Sequence, residues 1–132
     1  MFYELIIIFR RLYNMRASRG EIKIEEILQA YGLNFQEEYA FEGLCSENGR
    51  ALRFDFAVFD DDGNIDFLIE YQGRQHYEPS SKYGGKKGLF QQQHNDNKKR
   101  RFCALHDIRL IEIPYTEENL ITYDYIMERA GY

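Results

Sequence analysis

The sequence is short of features that would settle its class at once, and each shortage excludes something. It has two cysteines, Cys45 and Cys103, and no C-x-x-C pair, which leaves no disulfide framework and no cysteine-based metal module and points to a reducing compartment. No run of 18 apolar residues occurs, so a membrane-spanning helix is not expected. The opening FYELIIIF is too short to span, carries Glu4, and is followed by no small-residue cleavage pattern, which also argues against a signal peptide. It reads as a strand or as the start of a packed helix, and residues 1–17 are taken as an N-terminal extension. No internal repeat or low-complexity tract appears. A basic excess is missing too. Lys and Arg number 17 against 22 Asp and Glu, a formal charge of −5, so the chain does not coat nucleic acid by bulk attraction.

What remains is a chain of 132 residues, enough for one compact domain, assigned to 18–132. Ser18-Arg19-Gly20-Glu21 has capping-box spacing, and Ile24, Ile27, Leu28 and Tyr31 follow at helical intervals until Gly32, predicting a helix over 19–31. An irregular strand is expected over 35–45 and a clearer one over 52–59, with Phe54, Phe56 and Val58 on one face and Asp55, Ala57 and Phe59 on the other. Asp61 to Asn64 makes a turn into a returning strand, IDFLIEYQ. The segment 80–88, SSKYGGKKG, reads as a mobile loop. A helix over 89–105, a strand over 108–115 and a last helix capped by Thr116 and carrying Leu120, Ile121 and Ile126 complete the order. The expected fold class is α/β, a small mixed β-sheet flanked by helices.

Acidic residues fall at awkward places on these elements. Glu21 lies beside the apolar face of the first helix, where capping alone is a sufficient alternative role. Asp55 is bracketed by Phe54 and Phe56, a costly position unless it faces a polar cleft or a cation. Glu70 ends an apolar strand, and Asp96 shares a helical stripe with Leu89, Lys99 and Cys103, although a salt bridge to Lys99 or Arg100 would also account for it. Carboxylates from separate elements repel if they converge uncompensated. Mg²⁺ is a hard cation that takes such oxygens, keeps several waters and leaves room for phosphate. Near such a centre His76, reached through a turn at Gly73, is placed to move a proton. Between Arg74 and Arg101 stand eight basic residues against Glu78 and Asp96. Of these, Lys82, Lys86, Lys87, Lys98, Arg100 and Arg101 are candidates to hold a nucleic-acid backbone, the plain alternative being a solvated face.

GEIKIEEIL (20–28), LRFDFAVF (52–59), LIEYQGRQHYEP (68–79), the D-x-x-K of Asp96 to Lys99 and FCALHDIRLIEIPY (102–115) together resemble the very-short-patch-repair-like branch of the PD-(D/E)xK nuclease superfamily. Within it, the chain is most similar to phage-borne homing-type endonucleases with an E, D, x, H, D signature. The resemblance implies a restriction-endonuclease-like core and a catalytic set of Glu21, Asp55, a variable position at Glu70, His76 and Asp96. It implies Mg²⁺, replaceable by Mn²⁺, on Asp55 and Glu70, and double-stranded DNA as the substrate, cut to 5′-phosphate and 3′-hydroxyl ends. A homing or mismatch- or nick-repair role, and a cytoplasmic location in a bacterial host with a phage origin, would follow. Gln72 stands where the wider superfamily has its catalytic lysine, so Lys99 or His76 must supply that function. The zinc-binding cysteines of the mismatch-repair members are missing, and 132 residues leave little room for a DNA-reading module, which makes a homodimer or a separate reading partner the expectation. Two rivals stand beside this one. A non-catalytic nucleic-acid-binding protein with the same fold is favoured by Gln72 and the acidic charge. A protein-interaction domain is favoured by 11 tyrosines and 10 phenylalanines.

Overall fold

The computed structural model describes residues 18–132; the extension assigned to 1–17 lies outside the described residues. Helix α1 (Arg19–Ala30) begins where the Ser-x-x-Glu spacing places it. Ser18 Oγ accepts the Glu21 N–H at 3.2 Å and donates to the Glu21 carboxylate at 3.2 Å, satisfying one of the orphan donors of the first turn. Ile24 and Leu28 are fully buried. Tyr31 is not part of that stripe: it sits at the C-cap, 59% exposed, stacked on Tyr123 at 3.9 Å. Gly20 lies so close to the sheet that a Cβ there would come within 2.2 Å of the Tyr71 ring.

Strands β1 (Asn34–Cys45), β2 (Ala51–Phe59), β3 (Ile65–Gln72) and β4 (Arg109–Pro114) form one sheet in the order β1-β2-β3-β4. The first two pairings are antiparallel and β3-β4 is parallel, with helix α2 (Gly85–Leu105) as the crossover that a parallel pair needs. Together with α3 (Tyr123–Arg129) this is the four-stranded mixed sheet flanked by helices that the element order implies. One face packs on α1 and α3 through Ile24, Leu28, Phe56, Val58, Ile69, Ile113 and Ile126. The opposite face packs on α2 through Phe54, Ala57, Leu68 and Cys103.

Three expectations are corrected. The glycine-rich segment is no loose loop. Ser81–Tyr83 is a 3-10 turn and α2 already begins at Gly85, so Lys86 and Lys87 ride its first turn. Gly84 and Gly85 take φ of 88° and 65°, left-handed values that favour glycine, and a Cβ on Gly88 would fall 1.7 Å from the Tyr83 carbonyl oxygen. The glycines thus build a tight helix entry. Thr116 caps nothing; residues 115–120 form a 3-10 helix, and Thr122 caps α3 by accepting the Tyr125 N–H at 3.1 Å. Ile121 and Ile126 are both buried, and residues five apart sit about 140° apart on an α-helix, so one continuous helix would not bury both.

The third correction concerns β2. Phe54 packs with Ala57 on the α2 side, whereas Phe56 and Val58 face α1. Strand β1 changes face at the same level, with Phe35 against the α1-side cluster and Tyr39 and Phe41 against the other. Strict alternation therefore fails on both strands. On β1 the break coincides with Glu38, whose φ of 52° is left-handed for a residue with a Cβ, and Glu38 lies between the pairs Glu37↔Phe56 and Tyr39↔Phe54, level with Asp55.

Candidate functional site

The face change sets carboxylates at the level where the β2-β3 ladder is interrupted. Beyond the pair Phe56↔Ile69, side chains replace main chain as partners: the Asp55 N–H donates to Glu70 Oε1 at 3.0 Å, and the Tyr71 N–H donates to Asp55 Oδ2 at 2.7 Å. One oxygen each of Glu21, Glu38 and Asp55 lies within 4.8 Å of the others. Two full charges at that separation repel by roughly 3–4 kcal/mol at an effective dielectric near 20. Burial, then Glu70 and Glu21, push the Asp55 carboxyl well above its usual range, against the pull of the Tyr71 N–H and Lys99. Three oxygen donors from a helix and two strands, one of them hard to ionise alone, make a donor set that suits a hard divalent cation.

From Asp55 a line of paired groups runs under α2. Burial raises Glu70 from its ordinary 4.5 to about 7, although Lys99 works to lower it; Lys99 Nζ lies 3.2 Å from Glu70 Oε2 and 5.4 Å above the Phe54 ring. One turn earlier on the same buried stripe, Asp96 Oδ2 meets His76 Nδ1 at 2.9 Å and Asp96 Oδ1 accepts from Gln92 at 3.1 Å. Burial works to raise Asp96, but the hydrogen bond and charge of His76, with Gln92 and Lys99, outweigh it and hold the carboxyl below its usual value. A carboxylate at Asp96 places the proton of neutral His76 on Nδ1 and leaves a lone pair on Nε2. His76 lines an open cleft of about 230 Å³ between the 74–77 turn and α2.

Of the residues singled out in the sequence, Glu21, Asp55, Glu70, Lys99, Asp96 and His76 thus form one connected line. Gln72 does not join it. It is buried beside β4, donating to Glu112 at 2.8 Å and accepting from the Tyr77 hydroxyl. Gly73 needs no special backbone, since its φ of −68° suits any residue; a Cβ would instead meet Gln75 Oε1 at 2.5 Å. Among the basic residues, Lys82, Lys86, Lys87 and Arg101 are exposed. Lys98 donates to the Cys45 carbonyl at 3.0 Å, and Arg100 Nε contacts both Glu112 oxygens at 2.9 Å, so these two are already engaged within the chain. Glu38 escaped the sequence reading. In QEEYAFEG it looks like any solvent-facing glutamate, and only its left-handed φ turns it toward Asp55. Among the described residues no helix is long and apolar enough to cross a membrane.

No family model and no solved structure matches the chain. It is similar to uncharacterized protein 094L of Frog virus 3 (isolate Goorha), 40% identical over 90 residues, covering 66% of this chain and 56% of the relative. It is also similar to uncharacterized protein 307L of Invertebrate iridescent virus 6, 41% identical over 58 residues, covering 43% and 29%. The matched segments span little more than half of the first relative and less than a third of the second. Both relatives come from viruses named for animal hosts.

Proposed function

We propose that this chain is a Mg²⁺-dependent DNA endonuclease with a restriction-endonuclease-like core. The observation that carries the reading is the convergence of Glu21, Glu38 and Asp55 at one end of the Glu70, Lys99, Asp96, His76 line. Glu21, Glu38 and Asp55 are the residues that would hold the ion, in place of the pair Asp55 and Glu70. Both Glu70 oxygens are engaged, one by the Asp55 N–H and one by Lys99, so Glu70 is a positioning residue for Lys99. Bound there, Mg²⁺ supplies charge neutralisation at a phosphate oxygen and acidifies a water. Lys99, buried and held in one place by Glu70, offers a fixed positive charge to a phosphate and stands in for the lysine that Gln72 replaces. His76 Nε2 takes the proton of the attacking water while Asp96 stabilises the imidazolium. The oxygen of that water bonds to phosphorus as the bond to the 3′ oxygen breaks, and the leaving oxygen takes a proton from solvent, so that 5′-phosphate and 3′-hydroxyl ends result. The exposed lysines of α2 contact the DNA backbone. The buried Cys103 thiol, pushed by burial to about 11, is inert and fits a reducing compartment such as the cytoplasm. Target selection falls to a homodimer or a separate reading partner.

Conversion of supercoiled plasmid to nicked or linear DNA, dependent on Mg²⁺ or Mn²⁺ and abolished by EDTA, tests the reading. Asp55→Asn should lose that activity while keeping its thermal midpoint in metal-free buffer, because an amide oxygen still accepts the Tyr71 N–H and one repulsive charge is gone. Full cleavage by Asp55→Asn sinks the metal assignment. Tight DNA binding by wild type with no cleavage in either metal favours the non-catalytic binding protein.

A further inference from the structure

Lys86, Phe90, Gln93, Asn97 and Arg100 recur at intervals of four, three, four and three along α2, and all five are exposed. They form one solvent-facing stripe, next to the buried stripe of Asp96, Lys99 and Cys103. Phe90 is 74% exposed, a large apolar area beside a cation. The second half of the stripe forms one wall of the cleft that His76 lines, and Tyr77 forms the other. At about 230 Å³ the cleft is smaller than the roughly 300–1,000 Å³ of ordinary small-molecule pockets, the size for one planar ring system.

Its chemistry selects the guest. Among the residues that line it, the charge of Arg100 is balanced by Glu112 and Asp96 faces His76, so the walls carry no spare positive charge for a phosphate. What they do offer is neutral. The amide nitrogen of Asn97 makes no bond among the described residues, its oxygen being taken by Arg100 Nη1 at 2.8 Å, and the Gln93 amide makes only a long 3.4 Å contact to the His76 carbonyl. Tyr77, 45% exposed, is pinned by its hydroxyl to Gln72 and leans on Tyr115 at 5.9 Å, a fixed aromatic wall.

Resting on the nuclease reading, we propose that this cleft takes a single unpaired nucleobase next to the attacked phosphate, with Gln93 and Asn97 hydrogen-bonding its edge and Tyr77 packing against its face. Phe90 stacks on the following base. Amide side chains match the donor and acceptor edges of bases, and stacking on aromatic side chains is tolerant of base identity. The substrate class is therefore DNA with a bulged, frayed or single-stranded nucleotide at the cleavage point.

The test is equilibrium binding in Mg²⁺-free buffer to three labelled duplexes: perfectly paired, carrying one bulged nucleotide, and carrying the same bulge without its base. Wild type should bind the bulged base about tenfold more tightly than the other two, a gain of the order expected for one stacked base. Asn97→Leu and, independently, Gln93→Leu should erase that preference while leaving affinity for paired duplex unchanged; both positions are exposed, and circular dichroism checks that each variant folds. Equal affinity for the bulge with and without its base overturns the proposal. So does a uniform loss on all three duplexes in Arg100→Gln with no effect of either leucine variant, which would mark a phosphate site. Plasmid cleavage by the same preparation separates the two claims. Cleavage without base discrimination overturns the pocket and leaves the nuclease reading standing, whereas base discrimination without cleavage supports the pocket and overturns the nuclease reading.

Discussion

At the scale of single residues, the proposed chemistry depends on His76 and on what fixes its ring. The 2.9 Å contact from Nδ1 to Asp96 orients the imidazole and assigns its tautomer, so His76→Ala removes the proton acceptor without touching the carboxylate cluster. Single-turnover cleavage should fall by roughly 10² or more, the range for a lost general base, while duplex affinity stays within a few-fold. Wild-type cleavage rates across neutral pH would remove His76 from the mechanism. Asp55 and His76 stood out in the sequence because one is bracketed by phenylalanines and the other follows a glycine-marked turn, and Asp96 because it shares a helical stripe with Leu89, Lys99 and Cys103. Glu38 was not. Its role comes from a backbone conformation that the surrounding sheet imposes at a cost of about 1–3 kcal/mol, and nothing local in the chain announces it.

At the scale of elements, the depth at which α1 sits on the sheet controls where Glu21 falls. Gly20 makes that approach possible, because a Cβ would overlap the buried Tyr71 ring at 2.2 Å. Gly20→Ala should cost roughly 1–3 kcal/mol by overpacking, read as a lower urea midpoint, and should reduce cleavage by displacing Glu21. Gly20→Ala combined with Tyr71→Leu should recover part of the stability, and a lack of any such coupling would place the cause elsewhere. Helix α2 supports a second test. With Lys86 and Lys87 on its first turn, neutralising both should weaken binding about equally on unrelated duplexes and flatten the salt dependence by about one unit per lost phosphate contact. Unchanged binding at low and high salt would make them plain solvated charges. The start of α2 was misjudged from the sequence because glycine reads as a breaker; here the glycines admit a carbonyl and a left-handed turn that a side chain would block.

For the whole molecule, the buried acids make folding depend on pH. Glu70 titrates near 7 when folded against an ordinary 4.5, and Asp55 shifts in the same direction. Between those two pH values the folded state holds protons that the unfolded state has released, so their contribution is greatest below about 4.5 and declines as pH rises through about 7. Asp96 works the other way, its depressed value adding stability that is lost as pH falls. Because the two raised groups lie above the one lowered, thermal midpoints in metal-free buffer should fall from pH 5 toward pH 7, and Mg²⁺ should flatten the decline by binding the ionised cluster. A midpoint that rises over that interval without metal would contradict the assignment.

The sequence by itself determined the first helix, through Ser18, Glu21 and the buried Ile24 and Leu28. It determined the β2-β3 hairpin and the short strand expected over 108–115, and it drew attention to four of the acidic residues of the candidate site, Glu21, Asp55, Glu70 and Asp96, since these signals depend on neighbours a few positions away. Only the tertiary structure decided which carboxylates meet. The turnover of β1 and β2 at Glu38 and Asp55, the diversion of Gln72 to Glu112, and the engagement of Lys98 and Arg100 all arise from contacts between distant segments, where buried polar groups must find partners wherever the packed sheet and helices place them.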